Sequence, residues 1–318
     1  MVLWDSNLHV SALGALYAVS MVGIFDTGVA QKIIILLSSL GSALVCGALI
    51  NDYCDIEEDR MAGKKRTIYY IPKAYILILI LIFFFISQII TWVFIADPLY
   101  LSIYAIWYFF GVFYSAPPLR FKARGAAGIM SNAVIEKFFP ILLAMVIFQF
   151  YRWECIPLLA YSIAVQAEII LHHQIQDYDA DLKTGTRTYA VGEGMPSTLK
   201  FIRYFRSLLL VFGVLSILVL SNTITKGFIL PVAGLLGYFA LRRIIKSEDP
   251  SVPYSISYLN IFILGITPLY LALLGILFTP SFIPIFIIVF VTQYPLTKKY
   301  VLGFRSLIDA ALNRFQAL

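Results

Sequence analysis

Read along its length, the chain alternates between long apolar runs and short polar joints. A helix needs roughly 20 mostly apolar residues to cross the hydrocarbon of a bilayer. Ten runs meet or approach that length, near 8–25, 31–50, 74–96, 99–116, 127–149, 155–176, 203–221, 226–245, 256–278 and 281–297. The first is weakened by His9 and several small residues, and the last is short. Pro98, Pro117, Pro118, Pro157, Pro250, Pro253 and Pro280 lie near the joints, where proline does least damage. Pro140, Pro231, Pro268 and Pro284 fall inside runs, where each is expected to kink its helix. The pattern predicts an all-α, polytopic membrane protein with nine to ten transmembrane helices, a single transmembrane domain over residues 1–298. In the tail, 299–318, Phe304, Leu307, Ile308, Ala311, Leu312 and Phe315 recur at spacings of three and four. That spacing reads as an amphipathic helix lying on the cytoplasmic leaflet, with a frayed terminus as the competing reading.

Composition strengthens the membrane reading. Of the 318 residues, 60% are hydrophobic and 13% charged, with a mean hydropathy of +0.86. A soluble domain carries roughly 25% charged residues and needs polar cover for its surface. A cytosolic enzyme, a nucleic-acid-binding module and a disordered chain are therefore excluded. Cys46, Cys54 and Cys155 have no metal-binding spacing and imply no disulfide framework. The N-terminus carries no Lys or Arg ahead of its apolar stretch, so a cleavable signal peptide is not expected.

The net charge of +6 is explained by where its cations sit. Arg60, Lys64, Lys65, Arg66 and Lys73 follow the second run; Arg120, Lys122 and Arg124 follow the fourth. Lys183, Arg187, Lys200, Arg203 and Arg206 follow the sixth, and Arg242, Arg243 and Lys246 the eighth. With Lys298, Lys299, Arg305 and Arg314 in the tail, twenty of the 24 Lys and Arg share one side. The positive-inside rule places that side in the cytoplasm of a cell membrane, with both termini. The charge is thus a topology signal, and no nucleic-acid partner is expected.

The acids cluster on the same side. Asp52, Asp55, Glu57, Glu58 and Asp59 are five of the 18, and Asp177, Asp179 and Asp181 add three more. Asn51, Asp55 and Asp59 share a helical face at spacings of four, as do Asp177 and Asp181. Like charges on one face repel, and acids near a helix C-terminus oppose its dipole. Two such clusters at membrane depth ask for a hard cation, and Mg²⁺ typically takes one or two carboxylates together with phosphate oxygens.

Asn51-Asp52-x-x-Asp55-x-x-x-Asp59 resembles the first motif, NDxxDxxxD, of the UbiA superfamily of intramembrane prenyltransferases. Asp177-x-x-x-Asp181-x-Lys183-x-Gly185-x-x-Thr188 resembles its second, and Tyr114-Ser115-Ala116-Pro117-Pro118-Leu119-Arg120-Phe121-Lys122 is similar to the YSxPPLRxK stretch of many members. The ordered set covers roughly residues 8–278. It departs from the family in having Arg60 to Arg66 where many members carry an NRPxRP-like segment, and in a charge parity favouring ten spans over the usual nine. The resemblance implies a helical barrel around a lipid-open cavity, its cytoplasmic mouth capped by both motifs. It also implies Mg²⁺-dependent transfer of an isoprenoid chain from a prenyl diphosphate to an acceptor. By position, Asn51, Asp52, Asp55, Asp59, Asp177 and Asp181 would hold Mg²⁺ and the diphosphate, with Asp55 and Asp177 central to catalysis. Asp179 points away from that face and is left out.

Arg66, Tyr114, Arg120, Lys122 and Lys183 lie on the correct side to bind the diphosphate, alongside Asn51; orientation of the chain is the alternative role for each cation. Helix six is polar for its depth, with Gln166, Glu168, His172, His173, Gln174 and Gln176 ahead of Asp177. Glu168 and His172, four apart, are placed to pair, whereas Gln166, His173 and Asp177 form a second line. His173 is placed to orient an acceptor or take its proton, or else to bond a neighbouring helix. Glu136 and Lys137 point about 100° apart, so one of them is expected to line the cavity. The acceptor is expected to be aromatic or quinone-type. Competing readings are a diphosphate-ionising terpene cyclase, phosphoribosyl transfer to a polyprenyl phosphate, and a transporter with an acidic mouth.

Overall fold

The computed structural model describes residues 8–63, 65–223 and 258–293. The eighth predicted span, Lys64, the end of the tenth run and the tail helix lie outside the described residues. The other nine runs are helical over nearly all of their described length, and the described residues contain no strand. The chain is an integral membrane protein, and its described residues are built on helices.

The helices run α1 (Leu8–Val22), α2 (Thr27–Cys54), α3 (Ile56–Met61), α4 (Lys73–Ile95), α5 (Pro98–Ser115) and α6 (Ala126–Ile147). There follow α7 (Cys155–Gln176), α8 (Tyr178–Thr184), α9 (Tyr189–Thr223), α10 (Phe262–Phe278) and α11 (Pro280–Gln293). Asp26 and Asp97, acids on the side opposite the clusters, have local work. Each caps a helix, accepting from the backbone N–H of Val29 and Tyr100 at 2.8 Å.

Helix α1, the run weakened by His9 and several small residues, occupies the centre. Thirteen of its 15 residues are buried, so it has no lipid face to make hydrophobic. Its small residues allow close approach: a Cβ on Gly14 would lie 2.9 Å from the Ile141 Cα of α6. Val10, Leu13 and Tyr17 pack with α6, α7 and α9, while Ala12, Leu16 and Val19 pack with α2, α5 and α11. Helix α4 is the opposite case. Tyr75, Ile78, Leu81, Phe85 and Ile89 stand exposed along it, a surface suited to lipid.

The internal prolines resolve by different means. Pro140 follows a π turn at Val134–Phe138, and Pro268 a π turn at Ile261–Ile266; the wider turn accommodates a ring that cannot donate to residue i−4. Leu264, the acceptor Pro268 leaves without a donor, takes a bond from Gln293 Nε2 of α11 at 3.1 Å. The Ile135 carbonyl, inside the first π turn, takes one from Trp107 Nε1 at 2.8 Å. Pro284 does not kink a helix as expected, because it stands in the first turn after the 3₁₀ segment Pro280–Phe282, where no N–H is needed. The seventh span also begins earlier than its apolar pattern. Helix α9 starts at Tyr189 and breaks at Gly194 (φ 80°, ψ 165°), just ahead of Pro196.

Candidate active site

The two acidic motifs are built alike. Helix α2 ends at Cys54, Asp55 forms a joint, and the short α3 carries Asp59. Helix α7 ends at Gln176, Asp177 forms the joint, and the short α8 carries Asp181. Helical hydrogen bonding runs through both joints: Asp55 N–H to Asn51 O (3.1 Å) and Asp59 N–H to Asp55 O (2.8 Å) on one side. On the other, Asp177 N–H bonds His173 O (2.9 Å) and Asp181 N–H bonds Asp177 O (2.8 Å). The four-residue spacing is therefore preserved, and one face of each unit looks inward. His173 stands in the second unit where Asn51 stands in the first.

Helices α3 and α8 pack against each other, and all six of those residues line one cavity of about 460 Å³, within the usual range for a small-ligand site. Asp179 is exposed and off the lining, as expected. Below the mouth the walls are Ala43, Leu44, Gly47, Trp107, Tyr108, Ile135 and Ile170, with Tyr114, Asn132 and Glu136 as polar insertions.

Cations already meet the first motif. Lys122 Nζ donates to Asp55 Oδ1, and Arg120 donates to Glu58, which also lines the cavity. Arg66 lies 3.1 Å from Asp59 and 3.9 Å from Asp52. Burial pushes the Asp55 carboxyl above the usual carboxylate range, and Lys122 opposes that shift. Gly128 at the start of α6 sets the position of Lys122, since a Cβ there would lie 2.7 Å from the Phe121 carbonyl oxygen. Asn51 accepts from Ser115 Oγ at the end of α5, tying the first motif to the segment that carries Lys122.

Among the described residues no three His, Cys, Asp or Glu side chains converge into a ready-made metal cage. Separated carboxylates on opposed walls fit Mg²⁺ instead, since that ion completes its shell with phosphate oxygens and water.

Of the sequence-derived residues, Asn51, Asp55, Asp59, Arg66, Tyr114, Lys122, His173, Asp177 and Asp181 line the cavity. Asp52 stands off the lining, facing Arg66, and Arg120 reaches the cavity only through Glu58. Lys183 is exposed and off the lining, because it falls two residues beyond Asp181 on the outer face of α8. Gln166 leaves its expected line with His173: it is buried and donates to Asn132 Oδ1 at 2.8 Å. Glu168 and His172 do approach one another, at 3.8 Å, but a third partner dominates. Arg206 Nε donates to Glu168 at 2.7 Å, so this arginine bonds α9 to α7 rather than standing free at the membrane surface. Glu136 is the member of its adjacent pair that lines the cavity, and Lys137 is buried off it. Sequence reasoning missed Glu58, Asn132, Thr186 and Thr184 on the lining. The signal for Asn132 was an isolated amide in an apolar span.

The profile of the UbiA prenyltransferase family matches residues 8–261. Known folds agree. A UbiA homolog from Archaeoglobus fulgidus, solved bound to DMAPP and Mg²⁺, is 18% identical; the alignment covers 87% of this chain and 98% of that one, with a TM-score of 0.59. The same homolog bound to GPP and Mg²⁺ gives 18% identity, 86% and 98% coverage, and a TM-score of 0.59. Bound to Cd²⁺, it gives 20% identity, 84% and 95% coverage, and 0.58. No functionally curated protein matches the chain in sequence. At these identities the structural likeness establishes the fold, while the profile match establishes kinship: the chain belongs to the UbiA prenyltransferase family.

Proposed function

We propose that this member of the UbiA prenyltransferase family moves an isoprenoid chain from a prenyl diphosphate to an aromatic or quinone-type acceptor inside a cell membrane. The observation that carries the reading is the pair of like-built acidic units facing each other across one cavity. The Archaeoglobus homolog of this fold, bound to prenyl diphosphates and Mg²⁺, supports it. The one-sided distribution of Lys and Arg along the sequence, with Lys122 and Arg66 at the mouth itself, supports a cytoplasmic mouth.

Asp55, Asp59, Asp177 and Asp181 would hold the cations, with Asn51 and His173 one turn deeper and Asp52 at the rim. Mg²⁺ in that place supplies charge stabilisation for the oxygens of a leaving diphosphate. Lys122 and Arg66, which meet Asp55 and Asp59 in the structure, would add N–H donors for the same oxygens. The isoprenoid would lie along Leu44, Gly47, Trp107 and Ile135, where apolar walls exclude water from a reactive allylic cation. Tyr114 and His173 border the space between the diphosphate and that apolar region.

The test compares purified wild-type protein with Asp55→Ala and Asp177→Ala in Mg²⁺-dependent transfer from prenyl diphosphates of several lengths to a panel of acceptors. Each substitution should reduce transfer at least a hundredfold and abolish Mg²⁺-dependent diphosphate binding. Full transfer by both variants would overturn the reading.

A further inference from the structure

The cations on the mouth side fall into two sets. Beside the first acidic unit, Arg60 and Lys73 meet Glu57, Arg66 meets Asp59, Arg120 meets Glu58 and Lys122 meets Asp55. Beyond the second unit, on α9, Lys200 and Arg203 are exposed and meet no carboxylate among the described residues. The acid of α9 itself, Glu193, lies on the far side of the break at Gly194, and Glu168 of α7 is bonded to Arg206. The uncompensated pair belongs to a longer pattern. Lys200, Arg203, Tyr204, Ser207, Val211 and Leu215 recur at spacings that place them on one face of α9, and all six are exposed. That face is polar at its mouth-side end and apolar from Val211 inward. Val211 and Leu215 carry it about 12 Å past Ser207, against about 15 Å for the hydrocarbon of one leaflet. Tyr204 is held in place: its ring stacks on Phe201 at 6.2 Å, and Phe201 packs on Tyr189 at 5.2 Å and on Phe205 at 4.8 Å. None of the six lines the cavity, so these cations are not part of the diphosphate site.

Two cations and a phenol leading into an apolar strip match an anionic amphiphile, with charge at one end and hydrocarbon at the other. A soluble anion would engage the cations and leave the strip unused. A zwitterionic lipid would bring its own ammonium to the same two cations. We propose that this face of α9 binds an anionic phospholipid, its headgroup phosphate against Lys200 and Arg203 beside Tyr204, its acyl chain along Val211 and Leu215. Tyrosine suits that level because its ring is amphipathic and settles at membrane–water interfaces. The negative lipids of a cytoplasmic leaflet lie on the side assigned to the mouth above. Each cation near such a headgroup is worth about fivefold in affinity, so the pair accounts for about twenty-fivefold. The site does not depend on the reaction proposed for the cavity.

The experiment titrates the full chain, purified in neutral detergent, with dioleoylphosphatidylglycerol or dioleoylphosphatidylcholine and reads bound lipid by native mass spectrometry. Inorganic phosphate at matched ionic strength serves as a competitor. Wild type should hold its tightest phosphatidylglycerol at least tenfold more strongly than phosphatidylcholine, and excess phosphate should not displace it. Lys200→Gln with Arg203→Gln should lose about twenty-fivefold in phosphatidylglycerol affinity while keeping its phosphatidylcholine affinity and thermal midpoint. Arg203→Gln alone should lose about fivefold, so the result does not rest on the double variant. Arg60→Gln with Lys73→Gln, the same change in charge beside the first unit, should keep the wild-type preference. Equal affinity of wild type for the two lipids, an unchanged preference in the α9 variants, an equal loss in the Arg60 and Lys73 variant, or displacement by phosphate alone each overturns the site.

Discussion

Replacing Gly128 by alanine probes how the site is held together, because the new methyl meets backbone atoms and no flexible side chain. The added Cβ would stand 2.7 Å from Phe121 O, 3.1 Å from Lys122 O and 3.3 Å from Lys122 C. Relieving the first contact from 2.7 Å to ordinary contact at 3.4 Å moves the segment by about 0.7 Å. Overpacking of this kind costs about 1–3 kcal/mol. The functional loss should be larger in proportion, since Lys122 Nζ is the donor to Asp55 and a displacement near 1 Å costs roughly a hundredfold in rate. The assay is kcat/KM for prenyl transfer together with the Kd for prenyl diphosphate, in detergent-purified protein with its thermal midpoint recorded. Gly192→Ala is the control, because its Cβ would meet nothing within 4 Å. We expect Gly128→Ala to weaken diphosphate binding at least tenfold while the control stays at wild-type values. Wild-type kcat/KM and Kd for Gly128→Ala would refute the claim that close packing at this glycine positions Lys122.

Three further outcomes follow from the same coordinates. Because burial raises the Asp55 carboxyl, the metal-free protein should become more stable as the pH falls from neutral through that raised value, while Mg²⁺ affinity should fall as a ligand is protonated. Thermal midpoints with and without Mg²⁺ should therefore converge on acidification, and parallel curves would contradict this. Arg206→Leu should destabilise the protein by about 3–5 kcal/mol by stranding the buried Glu168, and Arg206→Leu with Glu168→Leu should recover most of that loss; additive damage in denaturation measurements would show that the two do not act as a pair. Gln293→Leu leaves the Leu264 carbonyl without its donor and should cost about 1–3 kcal/mol, a loss that Pro268→Ala should reduce by restoring a backbone N–H; no rescue would mean that the bond is incidental.

Helix positions were legible because lipid demands long apolar runs, and the motif aspartates because their four-residue spacing survives the joints at Asp55 and Asp177. Periodicity gives relative direction around a helix, but it does not say which neighbour each side faces. That is why Lys183 looked usable from its place in the motif and yet stands outside the cavity. Arg206 counted as a surface charge for a related reason: the apolar pattern starts α9 near residue 203, whereas the helix already runs from beyond its break at Gly194 and carries the guanidinium to Glu168. Helix α1 looked weak from its His9 and its many small residues. A central helix has no lipid face, so small residues that lower its apolar score are the ones that admit α6.

The likeness of the two acidic units is a relation between residues far apart in sequence, visible only once both joints are seen to keep their hydrogen bonds. It has a consequence for catalysis. If His173 and Asn51 are counterparts at the metal end, each unit presents its pair of motif aspartates with one polar group a turn before them, and the first unit adds Glu58. What distinguishes the two sides is then the cations, since Lys122 and Arg66, the Lys and Arg on the lining among the described residues, both meet the first unit. A substitution of a lining carboxylate on α3 or α8 should therefore impair diphosphate binding and transfer together.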